Sequence, residues 1–194
     1  MYRWTLFLLL ASVLHSAPNE IAVVVQAGEV FSPQAWQAME AESGRIARQA
    51  GLKIRFVEQS ETTGQSYDDL VVFRVSGRCQ MDSFPALLDE RGPYAWALTA
   101  AGDVLPFGEV RCDRVRESIK PAMNGSDYKI ADQLLGRALG RVITHEIYHM
   151  LAKTKGHAKD GVAKHALSAR QLIADSLDLG AAERRAMRGR RDFR

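Results

Sequence analysis

The chain has 194 residues, 46% of them hydrophobic, which is enough for one compact domain with a real core and too short for two comfortable ones. Lys and Arg number 26 against 23 Asp and Glu, so the formal charge of +3 is too small to argue for a nucleic-acid partner. Much of that excess falls at the end, where Arg184, Arg185, Arg188, Arg190, Arg191 and Arg194 read as a basic, solvated or frayed tail.

The first stretch, MYRWTLFLLLASVLHSAPNE, places Arg3 ahead of an apolar run from Trp4 to Leu14, with Ser16 and Ala17 after it. A membrane-spanning helix needs roughly 20 apolar residues, so residues 1–17 read as a cleavable signal peptide. This predicts a secreted or periplasmic protein with no stable membrane insertion after cleavage, and a single domain over 18–194. Export also changes the reading of Cys79 and Cys112: in an oxidising compartment a disulfide is the simpler use, and neither has a histidine near it in the chain to activate a thiol.

Ile21 to Gln26, IAVVVQ, is a short β-branched run and predicts a buried strand. A helix should follow from Ser32, which can cap, and Pro33, which suits the first turn; Trp36, Met39, Ile46, Ala47 and Ala50 recur at helical spacing, and Gly51 can end it. Leu52 to Glu58 alternates like a half-buried strand, LVVFRVSG from Leu70 predicts a third, and Tyr94 to Val115 holds two more around a Gly- and Pro-bearing connection. A long helix is predicted from about Tyr128 to Ala152, with Leu135, Ala138, Leu139, Val142, Ile143, Ile147 and Met150 as its apolar stripe. The order predicts an α/β or α+β layer: a mixed, mostly parallel twisted sheet with two long helices.

The second of those helices carries the chemistry. In THEIYHMLAKTKGHAKDG, starting at Thr144, His145 and His149 stand one helical turn apart, so their imidazoles leave one face and can converge on one ion. Glu146 is offset by one residue, placed to reach a water rather than to bind the ion. Two imidazoles and one further ligand suit zinc with an open position, the mechanical content of the HExxH pattern. The third ligand is less determined. His157 follows Gly156, a residue suited to turning the chain back over the ion. His165 would need a longer excursion and reads as a surface residue, while Asp175 and Glu183 are carboxylate rivals. Two ligands are better fixed than three.

The order of elements over Ile21 to Leu172, and above all ITHEIYHML, resembles the metzincin clan of zinc metallopeptidases. The resemblance implies a zincin-like fold, one catalytic zinc held by His145, His149 and His157, Glu146 as general base, and a peptide or protein substrate. It further implies that an extended peptide lies along an edge strand within Tyr94 to Val110, with Tyr94, Trp96 and Phe107 near the cleft. The clan places its glycine three residues and its third histidine six residues after the second histidine, where this chain has Ala152 and Lys155; His157 asks for two more residues. The methionine of the clan's supporting turn is replaced by Leu167 in HALSARQLI, a swap of similar volume. The function expected is therefore an exported zinc-dependent metalloendopeptidase. The alternatives are a gluzincin-type zinc hydrolase with Asp175 or Glu183 as third ligand, and a zinc-stabilised binding protein without turnover.

Overall fold

The computed structural model describes residues 20–27, 31–67, 69–82 and 92–189; the expected signal peptide at 1–17 and Arg190, Arg191 and Arg194 of the basic tail lie outside these. Five strands form one sheet: β1 (Glu20–Ala27), β2 (Lys53–Glu58), β3 (Leu70–Ser76), β4 (Ala95–Ala100) and β5 (Asp103–Arg111). Their spatial order is β2-β1-β3-β5-β4, parallel throughout except for β4, which lies antiparallel on β5 and forms an edge. Ala101 and Gly102 join β4 to β5, both at positive φ, as a tight two-residue hairpin requires. The expected mixed, mostly parallel sheet is therefore present.

The first helix, α1 (Pro33–Gln49), begins as its sequence asks. The Ser32 hydroxyl accepts from the Ala35 amide at 3.1 Å, Pro33 occupies the first turn, and Gly51 follows the helix at φ 69°. Residues 112–119 depart from the strand expected through Val115: Cys112–Ile119 is a helix, α2, with Cys112, Val115 and Ile119 buried at helical spacing. The long helix α3 runs over Ala131–Ala152, and α4 (Ala169–Ile173) and α5 (Ala181–Arg188) follow. The basic stretch is thus not a frayed tail through Arg188, because Met187 is fully buried and anchors α5 to the core. Among the described residues no helix is long and apolar enough to cross a membrane.

The main core lies between one sheet face and the two long helices. Ile21, Val23 and Phe73 from the sheet meet Met39 and Ile46 of α1 and Leu135, Leu139 and Ile143 of α3. Each such side chain taken from water contributes about 1.5–3 kcal/mol, which makes the helix stripes the main reason α1 and α3 hold their places. Two glycines let these helices meet backbone to backbone: a Cβ at Gly136 would overlap the Ala35 carbonyl, and one at Gly140 would lie 2.8 Å from the Met39 carbonyl. At the other end of α3, a Cβ at Gly108 of β5 would sit 2.7 Å from the Phe73 ring and 2.9 Å from Met150. Its absence brings the C-terminal half of α3 against the β4–β5 edge.

One buried ionic group crosses the helix pair. Arg141, fully buried, donates from Nε to Glu42 Oε1 of α1 at 2.7 Å, and from its two terminal nitrogens to the carbonyls of Gln171 and Ala174 at 2.6 Å each. Arg45 also holds Glu42, at 2.8 and 3.0 Å. Burial pushes the Glu42 carboxyl up, but the two guanidiniums outweigh it and leave it below its ordinary value. Cys79, just after β3, is bonded to Cys112 at the start of α2, with Cα atoms 5.1 Å apart; the expected disulfide is present.

Candidate metal centre

His145, Glu146 and His149 sit in about the last two turns of α3, so their geometry is set by the helix. His145 Nδ1 lies 2.8 Å from the Val162 carbonyl, and His149 Nδ1 lies 2.7 Å from the Thr154 carbonyl. A carbonyl can only accept, so each Nδ1 carries the proton and each Nε2 presents a lone pair. Those two Nε2 atoms are 3.0 Å apart. Two lone pairs held at that distance repel unless a cation stands between them, and fixing imidazoles through their other nitrogen is how metal-binding histidines are oriented.

Electrostatics keep the imidazoles neutral. Burial lowers His145 from 6.5 to about 4, with the other imidazoles adding to the effect and the Val162 carbonyl opposing it. His149 is lowered by burial against the pull of the Thr154 carbonyl. His157 is lowered by burial and then by His149 and His165. Neutral imidazole is the form that binds a metal, so the set is ready at neutral pH.

The chain leaves α3 through Lys153, at φ 49° and ψ 44°, in the left-handed region. This corrects the expectation that Gly156 makes the turn. Gly156 does not take a positive φ, and its amide instead donates to the Thr154 hydroxyl at 3.0 Å. A lysine tolerates the strained position because its Nζ donates to the Val104 carbonyl of β5 at 2.9 Å, fastening the turn to the sheet edge. The loop then brings the His157 ring to 4.7 Å from that of His149 and 5.3 Å from that of His145, centroid to centroid. One ligand atom from each of the three lies within 4.8 Å of the others, so together they could hold one metal ion. The same loop closes on itself by a bridge between Ala158 and Lys164, and in doing so presents the Val162 carbonyl to His145.

None of the rival ligands belongs to the histidine group among the described residues. His165 is exposed, as its reading as a surface residue expects, and is not part of the three-histidine group, but its ring packs edge-on against His157 at 4.7 Å and lines the same cavity. Asp175 is exposed and paired with Arg137 at 3.3 Å, and Glu183 lies on α5; neither joins the histidine group among the described residues. Glu146 is 6% exposed and turns toward β4. Its carboxyl is raised from 4.5 to about 7 by burial, and the Ala97 amide opposes that rise.

A cavity of about 550 Å³ opens over this group, walled by Tyr94, Trp96 and Ala97, by the histidines and Glu146, and by Leu167. Leu167 is buried beside the site, and its carbonyl lies 3.5 Å from the Tyr94 hydroxyl. Phe107 is not in this wall. It is 46% exposed, and strand alternation puts it on the sheet face opposite Gly108, which packs against α3. Sequence reasoning did not single out Arg141, the Thr154 and Val162 carbonyls, Ala97 or Arg114. None of these carried a local signal; Arg141 lies on the helix face away from the apolar stripe and reads as an ordinary solvent-facing charge until its distant partners are seen.

These features define a class: a mixed α/β fold whose mostly parallel sheet carries an antiparallel edge strand beside a helix that presents two histidines and a buried glutamate, with a third histidine brought in by the loop that follows. Among solved structures the fold is similar to that of archaemetzincin from Methanopyrus kandleri, with a TM-score of 0.55 over 93% of this chain and 99% of that one. Identity between the two is 11%, so the likeness is one of fold. No protein-family model matches the chain, and no curated protein matches it in sequence.

Proposed function

We propose that this chain is an exported zinc-dependent metalloendopeptidase whose single domain spans 18–194, with His145, His149 and His157 as ligands and Glu146 as general base. One observation carries the reading: two carbonyl-fixed imidazoles aim their Nε2 lone pairs at each other, 3.0 Å apart, with a third imidazole beside them and a buried carboxyl one residue away. The donor set fits zinc, which takes neutral imidazole nitrogen and leaves a position open when only three protein ligands are present. Zinc held there supplies Lewis acidity and lowers the pKa of water near neutrality.

The remaining work belongs to the chain's own groups. Glu146, raised to about 7, is poised to take a proton from an attacking water and return it to the departing amine. Val162 and Thr154 hold the imidazoles in the required tautomer. Among the described residues the outer edge of β4 carries no further strand, and it offers main-chain groups to an extended peptide above the histidines. Export is supported by the apolar run within 1–17 and by the Cys79–Cys112 disulfide, which suits an oxidising compartment.

The test is zinc content measured on wild type beside His157→Ala, with cleavage of a mixed peptide library followed on wild type and Glu146→Ala. One zinc per chain is expected in wild type and in Glu146→Ala, with loss of metal in His157→Ala and loss of cleavage in both variants. Wild type that cannot be loaded with zinc refutes the metal centre; turnover retained by Glu146→Ala refutes the base.

A further inference from the structure

The cavity above the histidines has an uneven charge. Its walls contribute three cationic side chains, Arg114, Lys155 and Lys164, and one carboxyl, Glu146, which is buried and turned toward the Ala97 amide. Among the described residues none of the three cations is in an ion pair.

The cations differ in how they are held. Lys155 is exposed and Lys164 half-buried; they lie on either side of His157 in the chain, and each is a point charge on a flexible stem. Arg114 comes from α2 and is already oriented. Its Nε donates to the Gly92 carbonyl at 3.1 Å, and its guanidinium carbon stands 5.5 Å from the centre of the Tyr94 ring. With Nε occupied and the guanidinium held beside the ring, the two terminal nitrogens remain as a fork. A planar fork with its conformation already restricted matches the two oxygens of a carboxylate and loses little entropy in binding it. The lysines add a positive potential that draws an anion toward the same space.

We propose that the cleft selects substrates bearing a carboxylate, which Arg114 receives as a bidentate partner. The group is either an acidic side chain or the free C-terminus of a peptide, since both offer the same two oxygens. The inference rests on the peptidase reading and adds which peptides the site takes.

The experiment measures binding by fluorescence anisotropy and cleavage by mass spectrometry, in parallel, on the zinc-loaded full chain. The peptides share one neutral sequence, with Glu moved through it position by position, each made with a free and an amidated C-terminus. Wild type, R114Q and R114K are compared, after thermal unfolding has established that the variants are folded. Carboxylate-bearing peptides should bind at least about tenfold more tightly than the neutral amidated one, with the ratio falling as salt rises. R114Q should collapse that ratio and R114K restore part of it. A preference that tracks the Glu position identifies the side chain as the ligand, and one that vanishes on amidation identifies the terminus; both support the proposal. Equal binding of neutral and acidic peptides, or a preference that folded R114Q retains, overturns it. Binding that shows the Arg114-dependent ratio with no peptide cut would overturn the peptidase reading and leave the carboxylate site standing.

Discussion

His145 and Glu146 are adjacent in the chain, and burial drives their proton affinities in opposite directions. Glu146 rises from 4.5 to about 7, so the metal-free folded protein keeps a proton that the unfolded chain releases. Its contribution to stability is complete below pH 4.5 and is lost as pH rises through about 7. His145 falls from 6.5 to about 4, so its contribution is complete above pH 6.5 and is lost as pH falls through about 4. At about 1.36 kcal/mol per pH decade, each span is worth about 3 kcal/mol. The two slopes oppose each other over their shared window, and metal-free wild type should show little pH dependence from these groups between pH 4.5 and 6.5. Glu146→Gln removes one slope. The metal-free variant should gain about 3 kcal/mol between about pH 4 and pH 6.5, with His149 and His157 acting in the same direction. Urea unfolding followed by circular dichroism in the presence of a chelator, repeated across that range for both proteins, measures the difference. Parallel pH profiles for variant and wild type would refute the argument from opposed burial.

Three further outcomes follow from the packing. Arg141→Met leaves the Gln171 carbonyl without its donor and Glu42 dependent on Arg45 alone, so equilibrium unfolding should show a loss of about 3–5 kcal/mol. A loss below about 1 kcal/mol would mean that Arg45 and solvent replace it. Gly136→Ala drives a methyl group into the Ala35 carbonyl and the Ala38 side chain, and should cost about 1–3 kcal/mol despite alanine's better helix propensity. Unchanged stability there would mean that α1 moves away freely. Replacing Cys79 and Cys112 together by Ala opens a link across a sequence separation of 33, worth about 3–4 kcal/mol in the chain-entropy account. The denaturation midpoint should fall to match that of reduced wild type, and a midpoint equal to that of the oxidised protein would contradict it.

What was legible in the sequence was local. The α1 cap at Ser32, its Gly51 stop, the strand runs and the stripe of α3 follow from periodicity and cap chemistry within one element, and the structure has them in place. The pair of histidines one turn apart is of the same kind. What was not legible depends on a partner distant in the chain. Gly156 looked like the turn residue, but a bond from Lys153 to Val104 of β5 allows a lysine to take the left-handed position. Cys112 to Val115 looked like the end of a strand, and the disulfide with buried Arg116 and Asp113 makes it a helix instead. Phe107 faced away because Gly108, not Phe107, is the residue that meets α3. The placement of Arg114 over Tyr94 joins two elements and had no local signature.

The left-handed Lys153 turn also bears on how such centres are to be searched for. Eight positions separate His149 from His157, where the resembled clan spaces its histidines by six. If a loop's closing entropy grows only as the logarithm of its length, the two added residues cost about 0.3 kcal/mol. That is too little to hold a spacing constant through divergence, whereas the placing of three nitrogens around one point tolerates almost no drift. Patterns written as fixed intervals along a chain therefore track the cheaper quantity, and a search over nitrogen positions in space would retrieve histidine groups that a text pattern passes over.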